Sequence, residues 1–319
     1  MSSISSISSV RHVAVPRRLV YGKMVSMRIA AFSPVSFTRR HPPRAAITAA
    51  LMTGALMLTS CSGDSSDPTN AAGQADGGVE QLEATIVATH PWDKTSFTQG
   101  LQVTGPDQLL VGTGQYGQSR IYHSTLAGQQ SDSHDLPPEF FGEGVTQTND
   151  PADPAHPIVW QLTWKAGKAI KRAADTLQQI GEASYDGEGW GLCAQQDRLV
   201  MSDGSGTLTF RDPGTFQPTG TVEVTLAGQP TSMLNELDCA SNGTVWANVW
   251  QKNLIYRIDP ASGKVTGVLD TTNTFPAATK PGADVLNGIA EVPGSTPPRF
   301  YVTGKWWDEL YEVTVQPRR

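Results

Sequence analysis

The sequence predicts an all-β chain, a five-bladed β-propeller, on three observations. A short hairpin pattern recurs five times at nearly constant spacing, apolar and polar residues alternate within the repeats, and no stretch carries the 3.6-residue period of a helix. The clearest copy is Leu234–Trp250. Leu234 and Leu237 open it, Ser241-Asn242-Gly243 turns it, and Val245, Ala247 and Val249 then alternate with Trp246, Asn248 and Trp250. Asn-Gly supplies the positive φ a tight hairpin needs, and period-two alternation on both sides of it marks two paired strands.

Four other segments fit the same frame. Gln99-Gly100-Leu101 leads through Gly105-Pro106-Asp107 to L-L-V-G-T-G, and Glu143-Gly144-Val145 leads past the Pro- and Asp-rich insertion Asn149–Pro157 to I-V-W-Q-L-T-W. Trp190-Gly191-Leu192 leads to L-V-M-S-D-G, and Asn287-Gly288-Ile289 leads to F-Y-V-T-G-K-W-W. Anchored on Gly100, Gly144, Gly191, Glu236 and Gly288, the copies are 44, 47, 45 and 52 residues apart, close to the period of four-stranded propeller blades. Third strands follow, such as T-L-T-F-R-D-P and L-I-Y-R-I-D-P, and weaker fourth strands, such as Gly220–Leu226 and Lys264–Leu269. The chain ends after the third strand of the fifth repeat. Glu83–Thr89, which precedes the first repeat and alternates correctly, is expected to supply the missing strand and close the ring, leaving no open edge.

The first sixty residues differ from the rest. They hold eight Lys/Arg and no Asp or Glu, and they end in the apolar run Ala45–Leu58 followed by Thr59-Ser60-Cys61. A basic flank, a short apolar core and small residues before a cysteine predict an export signal of lipoprotein type over 1–60, cleaved before Cys61, with lipidation of Cys61. The alternative is an ordinary cysteine following a signal peptide. The small, polar stretch 61–80 is expected to be a flexible linker, and 81–319 the propeller domain. On this reading the protein is exported, either held at the cell surface by the Cys61 lipid as its sole membrane attachment, or secreted, and it is a monomer. Without the first sixty residues, 24 − 8 = 16 basic side chains face 30 acidic ones, a net charge of −14. So acidic a domain makes nucleic acid a poor partner. Cys193 and Cys239 each follow a repeat's first apolar run but are offset by one residue relative to the anchors. A disulfide and two buried thiols both stay open.

In a propeller the first strand of each blade lines the axis, so the residues before the anchors, Gln99, Glu143, Trp190, Asn235 and Asn287, are expected at one mouth of the channel. The ends of the second strands, Tyr116, Trp164, Asp203, Trp250 and Lys305, are expected to ring the same face. Any one tryptophan here could simply pack a blade. Glu143 and Lys305 are harder to explain structurally, because buried charges need a partner or a role. The six histidines show no paired metal-ligand spacing, so no metal site is expected from them. Gly112–Gly117 imitates a dinucleotide fingerprint but opens no helix and is expected to be a turn.

The motifs F-T-Q-G-L (97–101), F-G-E-G (141–144), G-W-G-L (189–192), L-N-E-L (234–237), V-W-A-N-V-W (245–250), V-L-N-G-I-A (285–290) and V-T-G-K-W-W (302–307) together resemble the plant-type glutaminyl-peptide cyclotransferases. The resemblance implies a five-bladed propeller that cyclises an N-terminal glutaminyl residue to 5-oxoproline and releases ammonia. It implies catalytic positions at Glu143, Asn235 and Lys305, with Phe97, Gln99, Trp164, Trp190 and Trp250 shaping the substrate pocket. Asn287, on the same inner ring, is added to that pocket. Peptides or proteins with N-terminal Gln are the implied partners. No cofactor is required, and a structural divalent cation on the axis stays open. Two other classes fit the same sequence: a ligand-binding propeller without catalysis, and a lactonase-like propeller hydrolase, which would need clustered acidic and amide metal ligands on the axis.

Overall fold

The computed structural model of the chain describes residues 78–319. The expected export signal, the lipidation site Cys61 and positions 61–77 of the expected linker lie outside those residues. The described part is all-β. After β1 (Glu80–Pro91) comes a four-stranded antiparallel unit of β2 (Thr98–Gly105), β3 (Gln108–Thr113), β4 (Arg120–Ser124) and β5 (Gln130–Asp135). The second unit is β6 (Gly142–Asp150), β7 (Asp153–Thr163), β8 (Lys168–Ala173) and β9 (Gln179–Ser184). The third is β10 (Leu192–Ala194), β11 (Leu199–Met201), β12 (Thr207–Arg211) and β13 (Pro218–Glu223). A short hairpin, β14 (Thr225–Leu226) and β15 (Gln229–Pro230), leads to the fourth unit, β16 (Leu234–Cys239), β17 (Val245–Val249), β18 (Leu254–Asp259) and β19 (Lys264–Asp270). The chain ends with β20 (Leu286–Glu291), β21 (Arg299–Gly304) and β22 (Glu309–Pro317).

β1 pairs antiparallel with β22, from Leu82↔Pro317 to Pro91↔Glu309, and so completes a four-stranded run with β20–β22. This is the closure expected of Glu83–Thr89, with a longer strand. It also does something the repeat pattern does not announce: Glu80–Leu82 run parallel to Gly267–Leu269 of β19, which fuses the last two units into one ten-stranded sheet. The insertion Asn149–Pro157 is not a separate loop. It prolongs the β6–β7 hairpin as far as Asp150↔Asp153, and Pro151 and Pro154 fall at the exposed end where ladder donors can be spared.

The Asn-Gly hairpin forms as its sequence requires. Gly243 adopts φ 86°, and the Asn242 side chain accepts the backbone N–H of Thr244 at 3.1 Å, fixing the turn between β16 and β17. Alternation alone would leave one face of β17 exposed, yet all five of its residues are buried. Trp246, on the face opposite Val245 and Ala247, packs on Phe300 with ring centroids 4.7 Å apart. The strand is covered on both faces because neighbouring units stack against each other.

The inner strands touch in a closed cycle, β2 to β6, β10, β16, β20 and back to β2. Small anchors make this approach feasible. A Cβ on Gly144 would come within 2.6 Å of the Leu192 nitrogen, and one on Gly191 within 2.1 Å of the Asn235 carbonyl oxygen. Glu236 departs from the glycine pattern and uses its length to cross between units. It accepts the backbone N–H of Leu101 at 3.2 Å and of Ile289 at 2.8 Å.

Cys193 and Cys239 form a disulfide with a Cα separation of 5.4 Å, joining β10 to β16. Their one-residue offset in the repeat alignment is what the pairing needs. It puts the two side chains on opposite faces of equivalent inner strands, and those are the faces that neighbouring units turn toward each other, where both cysteines join one apolar cluster.

Two outcomes are expected. Removing residues through Pro91 exposes β22 and β19 together, so the truncated chain should aggregate or unfold; a soluble, fully active product would contradict the closure. Stability should also fall as pH rises toward neutrality because of Asp238. Burial pushes its carboxyl up to about 7, opposed by the Glu291 N–H it accepts and reinforced by the Glu291 charge. A folded-state pKa above the unfolded one contributes stability at low pH, lost as pH climbs from about 4 to the folded value. Thermal denaturation of Asp238→Asn should show a shallower decline over that window; an unchanged slope would contradict it.

Candidate functional site

Four of the inner-ring residues owe their direction to a recurring irregularity. β2 gains a residue against β3 between Thr98↔Thr113 and Gly100↔Gly112, which is where Gln99 sits. The same happens at Glu143-Gly144 in β6, at Asn235-Glu236 in β16 and at Asn287-Gly288 in β20. A β-bulge turns a side chain out of the regular alternation. Here it allows polar side chains to leave apolar strands and converge on the axis. In the third unit the role falls to Trp190, just before β10, held by its N–H to the Ser202 carbonyl at 3.0 Å. The Ser202 hydroxyl accepts the Gly191 N–H and donates to the Asn235 carbonyl, both at 2.7 Å, which locks the third unit to the fourth beside the site.

These residues open onto a cavity of about 380 Å³. Of the residues singled out from sequence, Phe97, Gln99, Glu143, Trp164, Trp190, Asn235, Trp250 and Lys305 line it. Asn287 lies one layer behind: it is fully buried and its Nδ2 donates to the Thr98 carbonyl at 2.9 Å and to Gln99 Oε1 at 3.0 Å. It therefore supports Gln99 rather than forming the wall. Tyr116 and Asp203 do not line the cavity either. Tyr116 stands half-exposed against Phe141, and Asp203 closes a local turn by accepting the Ser205 N–H and hydroxyl.

The cavity also takes residues not singled out from sequence: Gln115, Phe141, Gln251, Asp284 and Val285. Phe141 and Val285 open recognised motifs, Gln251 and Asp284 flank them, and Gln115 follows the L-L-V-G-T-G strand; that placement was the available signal. Gln115 and Gln251 adopt left-handed φ values of 95° and 60°. Such backbone costs free energy and gathers where side chains must be presented in a fixed way.

Glu143 is buried. Its Oε1 accepts Gln99 Nε2 at 3.2 Å, while Oε2, equally buried, has no hydrogen-bond partner among the described residues. Burial pushes this carboxyl well above the usual carboxylate range; the Lys305 charge draws it back and the Glu188 charge pushes it further up. Burial likewise lowers the Lys305 ammonium, against the pull of Glu143 and Asp284. Lys305 Nζ sits 4.7 Å from the centroid of the Phe97 ring, a cation–π contact that keeps the ammonium at the cavity wall. A buried carboxyl and a buried ammonium, each shifted toward neutrality, form a pair suited to moving protons and stabilising negative charge within one small space.

Glu188 is the largest omission from the sequence reading. Its Oε2 accepts both the Trp164 indole N–H at 2.6 Å and the Trp190 indole N–H at 2.9 Å. Among the described residues no group of three or more His, Cys, Asp or Glu side chains is placed to hold a metal ion.

Comparison with known proteins supplies the family. A family model described as Glutamine cyclotransferase matches residues 55–315. A glutaminyl-peptide cyclotransferase of Arabidopsis thaliana is 33% identical over 280 residues, covering 85% of this chain and 82% of the relative. The crystal structure of Myxococcus xanthus glutaminyl cyclase superposes with a TM-score of 0.66 at 36% identity, covering 76% of this chain and all of that one. With the family pattern running through most of its length, this chain belongs to the glutamine cyclotransferase family.

Proposed function

We propose that the chain is a glutaminyl-peptide cyclotransferase that converts the N-terminal glutaminyl residue of peptides or proteins to 5-oxoproline, and that its units form a five-bladed propeller with the site at one mouth of the axis. The observation that carries the reaction is Glu143: a buried carboxyl with one oxygen on Gln99 and the other without a hydrogen-bond partner among the described residues, facing a cavity that also holds Lys305 and Asn235.

The substrate's α-amine and side-chain amide belong to one residue, so the cavity has only to select the folded-back conformer. The amine nitrogen attacks the amide carbon. As that bond forms, Glu143 takes a proton from the amine nitrogen and delivers it to the amide nitrogen. The carbon–nitrogen bond of the original amide then breaks and ammonia leaves, while the oxygen returns to a carbonyl. Between these steps the oxygen carries negative charge, which the Lys305 ammonium and the Asn235 amide are suited to stabilise, each such donor being worth roughly 10²–10³ in rate. Trp164, Trp190 and Trp250 enclose the glutaminyl side chain and keep out water that would otherwise yield glutamate. A non-catalytic binding propeller has no use for two shifted, buried charges, and a lactonase-like hydrolase needs an axial cluster of metal ligands. Glu236, on the inner ring, already spends both oxygens on backbone N–H groups, and among the described residues no group of three or more His, Cys, Asp or Glu side chains is placed to hold a metal ion. The basic flank and apolar run before Cys61 support an exported, lipid-anchored form, tested by fatty-acid labelling that Cys61→Ser abolishes.

Ammonia release from a Gln-initiated peptide tests the reaction. Glu143→Gln should fold and bind peptide yet lose at least about 10² in turnover, the scale of a lost general acid–base. Lys305→Ala should also lose turnover, and the double variant less than the product of the two, because both act on one transition state. Turnover of Glu143→Gln within a few-fold of wild type would refute the carboxylate's role. The kcat/KM of the wild type should rise with pH as Glu143 loses its proton, at a pH above the ordinary carboxylate range because burial raises this group; an acidic limb in that ordinary range would contradict it. Turnover should survive a strong chelator. Loss restored by zinc alone would overturn metal independence, whereas a lowered melting temperature with turnover intact would point to a structural cation.

A further inference from the structure

Glu188 lies between β9 and β10, outside the cavity wall, and neither its position in the repeat nor the proposed chemistry explains it. Its carboxylate gathers three partners from two units. Oε2 accepts the indole N–H groups of Trp164, just past β7, and Trp190, just before β10, while Oε1 meets Lys165 Nζ at 3.3 Å. Both indoles are only partly buried, so neither is fixed by all-round core packing. Their other restraints include edge contacts, Trp164 on Phe141 at 5.6 Å and Trp190 on Trp250 at 5.5 Å, Lys165 Nζ 4.0 Å over the Trp164 ring, and close packing of the Trp190 ring on Gly204, where a Cβ would come within 2.6 Å of it.

We propose that Glu188 is a positioning residue, which holds Trp164 and Trp190 in the single mutual arrangement that closes the cavity around a glutaminyl side chain. An indole has one donor and needs an acceptor when its ring is taken from water. Two indoles sharing one oxygen cannot rotate independently: turning either to seek water breaks its bond and opens the wall. The carboxylate is suited to this because it stays ionised. Burial works to raise its pKa, but the hydrogen bonds from Trp190, Trp164 and Lys165 together hold it below the usual range. Charge-assisted bonds of this kind are shorter and about twice as strong as neutral ones. Glu188 thus differs in kind from Glu143, since it touches the tryptophans and no reacting atom. The inference rests on the cyclisation reading for its substrate, while the state of the two indoles can be read without it.

The test compares purified Glu188→Ala and Glu188→Gln with wild type, measuring kcat and KM for ammonia release from a Gln-initiated dipeptide alongside near-ultraviolet circular dichroism of the tryptophans. Glu188→Ala should raise KM by about tenfold or more, lower kcat less, and weaken the tryptophan signal with little change in melting temperature. Glu188→Gln keeps an oxygen that can accept an indole N–H and should recover part of both the KM and the signal. Wild-type KM and signal in Glu188→Ala would overturn the proposal, as would equal losses in both variants that track a falling melting temperature. If Glu188→Ala does not fold, Trp164→Phe and Trp190→Phe delete the donors and keep a ring. A rise of KM in either sustains the proposal, and wild-type KM in both overturns it. A wild-type protein that releases no ammonia would refute the cyclisation reading instead, leaving the tryptophan signals of the variants to decide the role of Glu188.

Discussion

The structure depends on how closely the inner strands approach one another around the axis. Where Gly144 and Gly191 face the next unit there is no room for a Cβ, so backbone packs directly on backbone. That contact brings the bulges of neighbouring units within reach of a shared cavity. Glu236 and the Cys193–Cys239 disulfide then tie inner strands of different units together, the one through backbone N–H groups and the other covalently. A disulfide of this sequence separation contributes about 2–4 kcal/mol by the usual scale. The ring is thus rigid at the point where the chemistry needs fixed positions.

Rigidity there has an energetic cost. Glu143 and Lys305 are both held out of water, and one carboxylate oxygen has no hydrogen-bond partner among the described residues. A protein selected for stability alone would replace them with apolar side chains of similar volume. Their presence in a buried ring is best understood as function drawing on the stability of the surrounding sheets. Trp164 and Trp190 extend the same arrangement, sending both indole N–H groups to the single carboxylate of Glu188.

Much of this was legible in the sequence because the repeat imposes one geometry several times. The Asn-Gly turn, the third strands and the closing N-terminal strand follow from periodicity and turn chemistry, and Gln99, Glu143, Trp190 and Asn235 follow from their place beside the anchors. What the repeat hides are its local exceptions. The offset of Cys239 from Cys193 looks like a mismatch within one repeat, yet it is what lets side chains on facing sides of neighbouring units meet, and alignment on anchors does not show which faces adjoin. Asn287 occupies the same repeat position as Asn235 yet ends behind Gln99, because side-chain hydrogen bonding to Thr98 and Gln99 decides its direction. Glu188 and Asp284 sit in connections, where spacing carries no directional information. Their roles become visible only when strands from separate units are brought together.

The axial bulges aim Glu143 and Asn235, and the end of β21 aims Lys305, at the two ends of one glutaminyl residue. A crystal structure of the Glu143→Gln protein with a Gln-initiated peptide bound tests this most directly. The expected complex has the peptide's α-amine against the side chain at position 143, its amide oxygen against Lys305 and Asn235, and its methylenes between Trp164 and Trp190. A peptide bound with its glutaminyl side chain outside that cavity, or with its α-amine remote from position 143, would contradict it.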